Sequence, residues 1–311
     1  MTNWTIKDIP SQIGKLAVIT GATGGLGYET ALALAGADAE VILTGRNADK
    51  GKDALRRIRA VHPQSKLRFE LLDLASLASI ASFSYRLNAD ARPIDLLVNN
   101  AGVMALATRQ VTVDGFERQL GTNYLGHFAL TAHLLPLLRG AHKARVVNLS
   151  SVAHRRGRID LDDLQASRNY APWKSYAQSK LAMLMFALEL QRRSEANGWG
   201  FLSNAAHPGW ARTDLIANGP GTKGIMGAMA ALFALLFSHS AADGALPTLF
   251  AATSPDARAA GYYGPNGFAE LKGAPAPARI MPQASDADVS ARLWERSVEL
   301  TGVDWGIVAA G

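Results

Sequence analysis

A strand, a glycine turn and a helix follow one another without a gap near the start of the chain, and this narrows the fold more than any other feature. Lys15-Leu16-Ala17-Val18-Ile19-Thr20 is short, apolar and β-branched, which reads as a buried strand. It runs into Gly21-Ala22-Thr23-Gly24-Gly25-Leu26-Gly27, and then into Tyr28-Glu29-Thr30-Ala31-Leu32-Ala33-Leu34-Ala35, which has helical composition. Such a unit is an anion site. The glycines let the backbone approach a pyrophosphate, and the helix start presents free N–H groups to it. The spacing is G-x-x-x-G-x-G, not the general G-x-G-x-x-G fingerprint.

The next strand, Val41-Ile42-Leu43-Thr44, ends in Gly45-Arg46-Asn47. Arg46 lies 19 residues after Gly27, where an acid would hydrogen-bond the ribose hydroxyls of NAD. A guanidinium there can pair with a 2′-phosphate instead, so NADP(H) is expected in preference to NAD(H). Further along, Tyr176 and Lys180 stand four residues apart on a helical stretch. They therefore share one face. A cation beside the phenol is expected to lower its pKa from about 10 and make the pair a general acid/base.

Strands and helical stretches alternate from residue 15 to about 206 with no linker-like break, which predicts one doubly wound α/β Rossmann domain with a mainly parallel sheet. Residues 1–14 form a lead-in and about 271–311 an extension. Ala274-Pro275-Ala276-Pro277 reads as an extended loop. The long stretches 116–138 and 174–197 read as helices that could pair across a homodimer or homotetramer.

Together these pieces resemble the short-chain dehydrogenase/reductase family, over about residues 13–270. The glycine turn is similar to the family's cofactor loop, implying contacts from Gly21, Thr23, Gly25, Leu26 and Gly27. Asp73-Leu74 resembles its adenine contact, and Asn99-Asn100-Ala101-Gly102 its fourth-strand signature. By that resemblance Asn123, Ser151, Tyr176 and Lys180 are the catalytic set. Asn123 would hold a water that links Lys180 to solvent, and Lys180 would also bind the nicotinamide ribose. Ser151 rather than Ser150 is catalytic by family register. His207-Pro208-Gly209-Trp210-Ala211-Arg212-Thr213 is similar to the nicotinamide-contacting segment, implicating Pro208, Gly209 and Thr213.

Within the family, Gly45-Arg46-Asn47, Asn123-Tyr124-Leu125-Gly126-His127-Phe128, His207-Pro208-Gly209 and the 25-residue gap from Ser151 to Tyr176 resemble the retinol-dehydrogenase and WW-domain-oxidoreductase branch. The implied activity is hydride transfer between NADP(H) and a carbonyl or alcohol. The alternatives are a nucleotide-sensing protein without catalysis and a reductase of an activated C=C bond.

Other classes find no support. With no cysteine there is no disulfide or thiol catalysis. The seven histidines show no ligand spacing, so no metal is expected. The net charge is +6 with basic residues scattered, and Arg155-Arg156-Gly157-Arg158 lacks the aromatic interleaving of a nucleic-acid patch. No signal peptide is visible, so a cytoplasmic location is expected. The apolar run 224–237 is too short to span a bilayer. A buried helix, a dimer contact, an interfacial helix and a substrate lid over about 214–245 all fit it. The family resemblance favours the lid, which would suit a hydrophobic ketone, aldehyde or alcohol.

Overall fold

Strand β1 (Leu16–Ile19) is buried along its whole length, as an inner strand of a sheet covered on both faces must be. It pairs in parallel with β2 (Glu40–Gly45) on one side and with β4 (Leu96–Asn99) on the other. The computed structural model describes residues 3–210 and 239–306. Its sheet has eight strands in the order β3-β2-β1-β4-β5-β6-β7-β8. The others are β3 (Leu67–Leu71), β5 (Arg145–Leu149), β6 (Leu202–Ala206), β7 (Tyr262–Pro265) and β8 (Pro275–Pro277). All neighbours are parallel except β7 and β8. The strand order turns back between β1 and β4, which opens a crevice at the carboxyl ends of the strands.

Two apolar layers sandwich the sheet, and the strands alternate between them. Leu16 and Val18 face one layer, Ala17 and Ile19 the other. The first layer receives α3 (Leu77–Asp90), α5 (Gly126–His133), α6 (Leu135–Gly140), α7 (Pro172–Ala196) and α9 (Ala287–Thr301). The second receives α1 (Gly25–Gly36), α2 (Ala48–Val61) and α8 (Ala241–Thr253). Helix α2 shows why such segments fold as they do. Asn47 caps it by accepting from Lys50 N, and Gly51, Ala54 and Ile58 recur on its buried face.

Two expectations change. The stretch 116–138 is not one helix: a single turn, α4 (Arg118–Leu120), passes into a π-helical stretch, Gly121–Leu125, before α5 begins. Such π-helical insertions are rare and concentrate at functional sites. The Ala-Pro run is not a loop but β8, paired antiparallel with β7 through Tyr263↔Pro277, Gly264↔Ala276 and Pro265↔Pro275. Its prolines are tolerated because β8 is the sheet edge, where one side needs no N–H donors. The C-terminal extension completes the core: Trp294 of α9 packs edge-on against Phe128, with ring centroids 4.9 Å apart. The apolar run 224–237 and most of the expected lid lie outside the described residues. From Ala241 on, the lid region belongs to α8, which Ser240 caps.

Candidate active site

The positions singled out in the sequence follow the carboxyl ends of six neighbouring strands. Gly21 follows β1, Arg46 follows β2, Asp73 and Leu74 follow β3, and Asn100, Ala101 and Gly102 follow β4. Ser151 follows β5, and Pro208 and Gly209 follow β6. The carboxyl end of the sheet thus carries these positions, around the reversal of strand order. Thr213 lies outside the described residues.

The turn after β1 is built for close approach. Gly21 is left-handed at φ +64°, and a Cβ there would meet Ala101 Cβ at 2.9 Å. A Cβ on Gly27 would lie 2.5 Å from Gly21 O. No side chain caps α1 at Gly24, so the first N–H groups of the helix, from Gly25, Leu26 and Gly27, are left for an anion. Asn100 braces the turn, its amide donating to Thr20 O at 2.7 Å and Gly21 O at 3.3 Å. These residues fit the pyrophosphate of a dinucleotide. Arg46 is exposed at the end of β2. Sequence reading passed over a second cation here: Arg57 donates to Thr23 O at 3.4 Å and stacks 4.1 Å over the Tyr28 ring, while pairing with Asp53. The i, i+4 placement of Asp53 and Arg57 on α2 was the available signal.

Helix α7 carries Tyr176 and Lys180 on one face, both buried at 8% and 6% exposure. The Ser151 hydroxyl lies beside the Tyr176 phenol, close enough to favour its ionised form. Lys180 Nζ lies 5.9 Å from the Tyr176 ring centre and donates to Leu149 O at 3.0 Å. The two adjacent serines differ. Ser150 is buried and donates to Lys180 O at 2.7 Å, whereas half-buried Ser151 accepts from Ala153 N and caps the 3-10 turn Val152–Arg156.

The expected lowering of the Tyr176 pKa is not found. Burial pushes the phenol up to about 12, and the neighbouring Ser151 hydroxyl opposes this only in part. Burial also lowers Lys180 to about 8. Helical spacing captures the shared face but not the desolvation that outweighs it. The phenol is therefore a neutral donor at neutral pH, the state a proton donor needs.

Asn123 sits in the π-helical stretch, and its side chain bonds to two other segments of the chain. Its Oδ1 accepts from Val103 N at 2.7 Å, and its Nδ2 donates to Val103 O and Ser179 Oγ, each at 2.9 Å. It therefore clamps the loop after β4 to α7. Gly102 lies in that clamp: a Cβ there would come 3.1 Å from Asn123 Oδ1 and 3.5 Å from Lys180 Nζ.

His127, within the stretch Asn123-Tyr124-Leu125-Gly126-His127-Phe128, joins the two halves of the site. Its Nδ1 donates to Asn123 O at 2.8 Å, which leaves Nε2 to accept from the Thr20 hydroxyl at 2.8 Å. Thr20 Oγ1 in turn accepts from Asn100 N and Ala101 N. Burial holds His127 neutral, down to about 3, despite the hydrogen bond to Asn123 O.

Comparison with known proteins agrees with this geometry. A sequence profile described as short chain dehydrogenase matches residues 15–222. The chain is 38% identical to a mouse (Mus musculus) polyprenol dehydrogenase over 304 residues, covering 96% of this chain and 87% of that protein. It is 40% identical to human (Homo sapiens) retinol dehydrogenase 13 over 298 residues, covering 94% and 86% respectively. A crystal structure of an uncharacterized protein from Mycobacterium paratuberculosis superposes with a TM-score of 0.81 at 38% identity, covering 98% of this chain and all of that one.

Proposed function

From the fact that this chain belongs to the short-chain dehydrogenase family, in its retinol-dehydrogenase-like branch, we propose that it is an NADP(H)-dependent oxidoreductase acting on a hydrophobic carbonyl or alcohol. The observation that carries the reading is the convergence of Ser151, Tyr176 and Lys180 at the carboxyl end of the sheet, where the glycine turn also lies.

Ser151 and Tyr176 would donate two hydrogen bonds to a substrate carbonyl oxygen and stabilise the charge that grows on it. A bound dinucleotide supplies the hydride in reduction and accepts it in oxidation. In reduction, the phenolic proton of Tyr176 passes to the carbonyl oxygen as the C–H bond forms. In the reverse direction Tyr176 takes the proton back. Lys180, fixed by Leu149 O, would return a proton to the phenolate and contact the ribose. Asn123 holds Val103 and Ser179, and through them the loop and helix on either side of Lys180.

Arg46 and Arg57 beside the turn support a 2′-phosphate over a free ribose hydroxyl. Apolar substrates are supported by Trp173, half exposed and edge-on to Tyr176 with centroids 6.1 Å apart, and by the apolar alcohols in the relatives' names. The test is a panel of apolar and polar ketones, aldehydes and alcohols, followed with NADPH/NADP+ and NADH/NAD+ in parallel. Turnover of apolar members with the phosphorylated cofactor is expected. Cofactor binding with no oxidation or reduction across the panel would overturn the reading.

A further inference from the structure

Outside the candidate catalytic set, one carboxylate joins the two loops that flank it. Glu270 Oε2 receives His207 Nε2 at 2.9 Å and Arg155 Nη2 at 2.6 Å, and Oε1 receives Arg279 N at 3.1 Å. A carboxylate only accepts, so His207 carries its proton on Nε2. Its Nδ1 is then free to accept from Gly209 N, which it does at 3.2 Å. His239 Nε2 donates to Pro208 O, so the loop after β6 is held on both sides. On the other arm, Arg155 lies in the short turn that Ser151 caps, and His154 Nδ1 donates to Ser151 O at 2.7 Å. Arg155 also donates to Ala269 O at 3.4 Å.

The backbone that delivers this carboxylate is strained. Ala269 and Glu270 are both left-handed, at φ +51° and +60°, in a region that side chains other than glycine seldom occupy. Consecutive residues of this kind persist only where the surroundings over-determine them, and they cluster at functional sites. Burial would raise the Glu270 carboxyl, but the bonds from His207 and Arg279 N and the charge of Arg155 hold it below the ordinary value.

We propose that Glu270 is a positioning residue: through His207 it fixes Pro208 and Gly209, and through Arg155 it fixes the turn capped by Ser151, so that a bound nicotinamide meets Ser151 and Tyr176 in register. This rests on the reading of the site as a dinucleotide-dependent oxidoreductase. The competing role is a fastening of the segment 268–279 with no bearing on the reaction.

The experiment compares the full chain with Glu270→Ala and Glu270→Gln. It measures folded fraction by circular dichroism, dinucleotide affinity by fluorescence titration, kcat and KM, and the primary deuterium isotope effect with deuterated reduced dinucleotide. Per folded molecule, Glu270→Ala should lower kcat by roughly tenfold to a hundredfold, weaken dinucleotide binding, and raise the isotope effect as hydride transfer becomes limiting. Glu270→Gln should recover part of each, because its amide oxygen can still accept from His207. Wild-type kcat and isotope effect per folded molecule in Glu270→Ala would overturn the proposal. If that variant does not fold, Glu270→Gln decides: a smaller change in the same two readouts supports the proposal, and wild-type values overturn it. Failure of the wild-type chain to bind any dinucleotide would overturn the underlying reading and this inference with it. An active wild type with an unaltered variant overturns this inference alone.

Discussion

Lys180 is held 5.9 Å from the centre of the Tyr176 ring by a hydrogen bond to Leu149 O, one turn along the same buried helix face. The ammonium is thus fixed by a strand carbonyl, with no counter-ion among the described residues, and burial moves its pKa to about 8. Keeping a cation there opposes stability. Its folded pKa lies below the unfolded value of 10.5, so the unfolded chain binds more protons between about pH 8 and pH 10.5, and stability rises with pH across that window. Lys180→Met should therefore abolish turnover yet melt no lower than wild type at neutral pH. Its advantage should shrink as pH rises toward 10, measured by thermal melts at several pH values. A variant markedly less stable at neutral pH would contradict this.

In the proposed reaction Ser151 supplies the second donor to the reacting oxygen. Ser151→Ala should lower kcat by about a hundredfold to a thousandfold, as loss of one such donor does elsewhere. Dinucleotide affinity should be unchanged. Ser150→Ala should instead act on stability, because Ser150 bonds to Lys180 O and is buried. Steady-state kinetics and melts on both variants separate the roles, and the reverse pattern would exchange them.

Arg46→Ala should weaken NADPH binding by about tenfold to a hundredfold, the value of a charge-assisted hydrogen bond of about 1.5–3 kcal/mol. NADH binding should barely move. Equal loss for both dinucleotides, by fluorescence titration, would remove the 2′-phosphate contact from the account.

Buried neutral histidines should make the fold acid-labile. His127 is held down to about 3 against an ordinary 6.5, first by burial, and burial lowers His154 and His207 too. Each folded value is below the unfolded one, so the unfolded chain takes up protons first. Stability is complete above about pH 6.5 and is lost as pH falls toward 3. Thermal melts of wild type and His127→Gln should differ in slope below pH 6.5, with wild type falling more steeply. Parallel slopes would show that His127 does not carry the effect.

The first strand and its glycine turn were legible because they rest on local chemistry. A β-branched run ending in Gly21 announces both the strand and the close approach that follows it. Tyr176 and Lys180 were legible because helical spacing places them on one face. What escaped depends on long-range contacts. Nothing local marks Pro275 to Pro277 as a strand, since only the accident of an edge position makes prolines tolerable there. The break of the stretch 116–138 into a π-helical segment is tied to bonds from Asn123 to Val103 and from His127 to Thr20, which link distant parts of the chain. Glu270 gave no signal at all. Its partners Arg155 and His207 lie far away in sequence, and its left-handed backbone is invisible in a run of ordinary residues.

The most direct measurement is turnover by Tyr176→Phe alongside its dinucleotide affinity. Removing only the hydroxyl leaves the ring packed and the turn after β1 untouched. The variant should bind NADPH as wild type does and lose about a hundredfold to ten-thousandfold in kcat, the share of a general acid. Wild-type turnover with the hydroxyl gone would contradict the account at its centre.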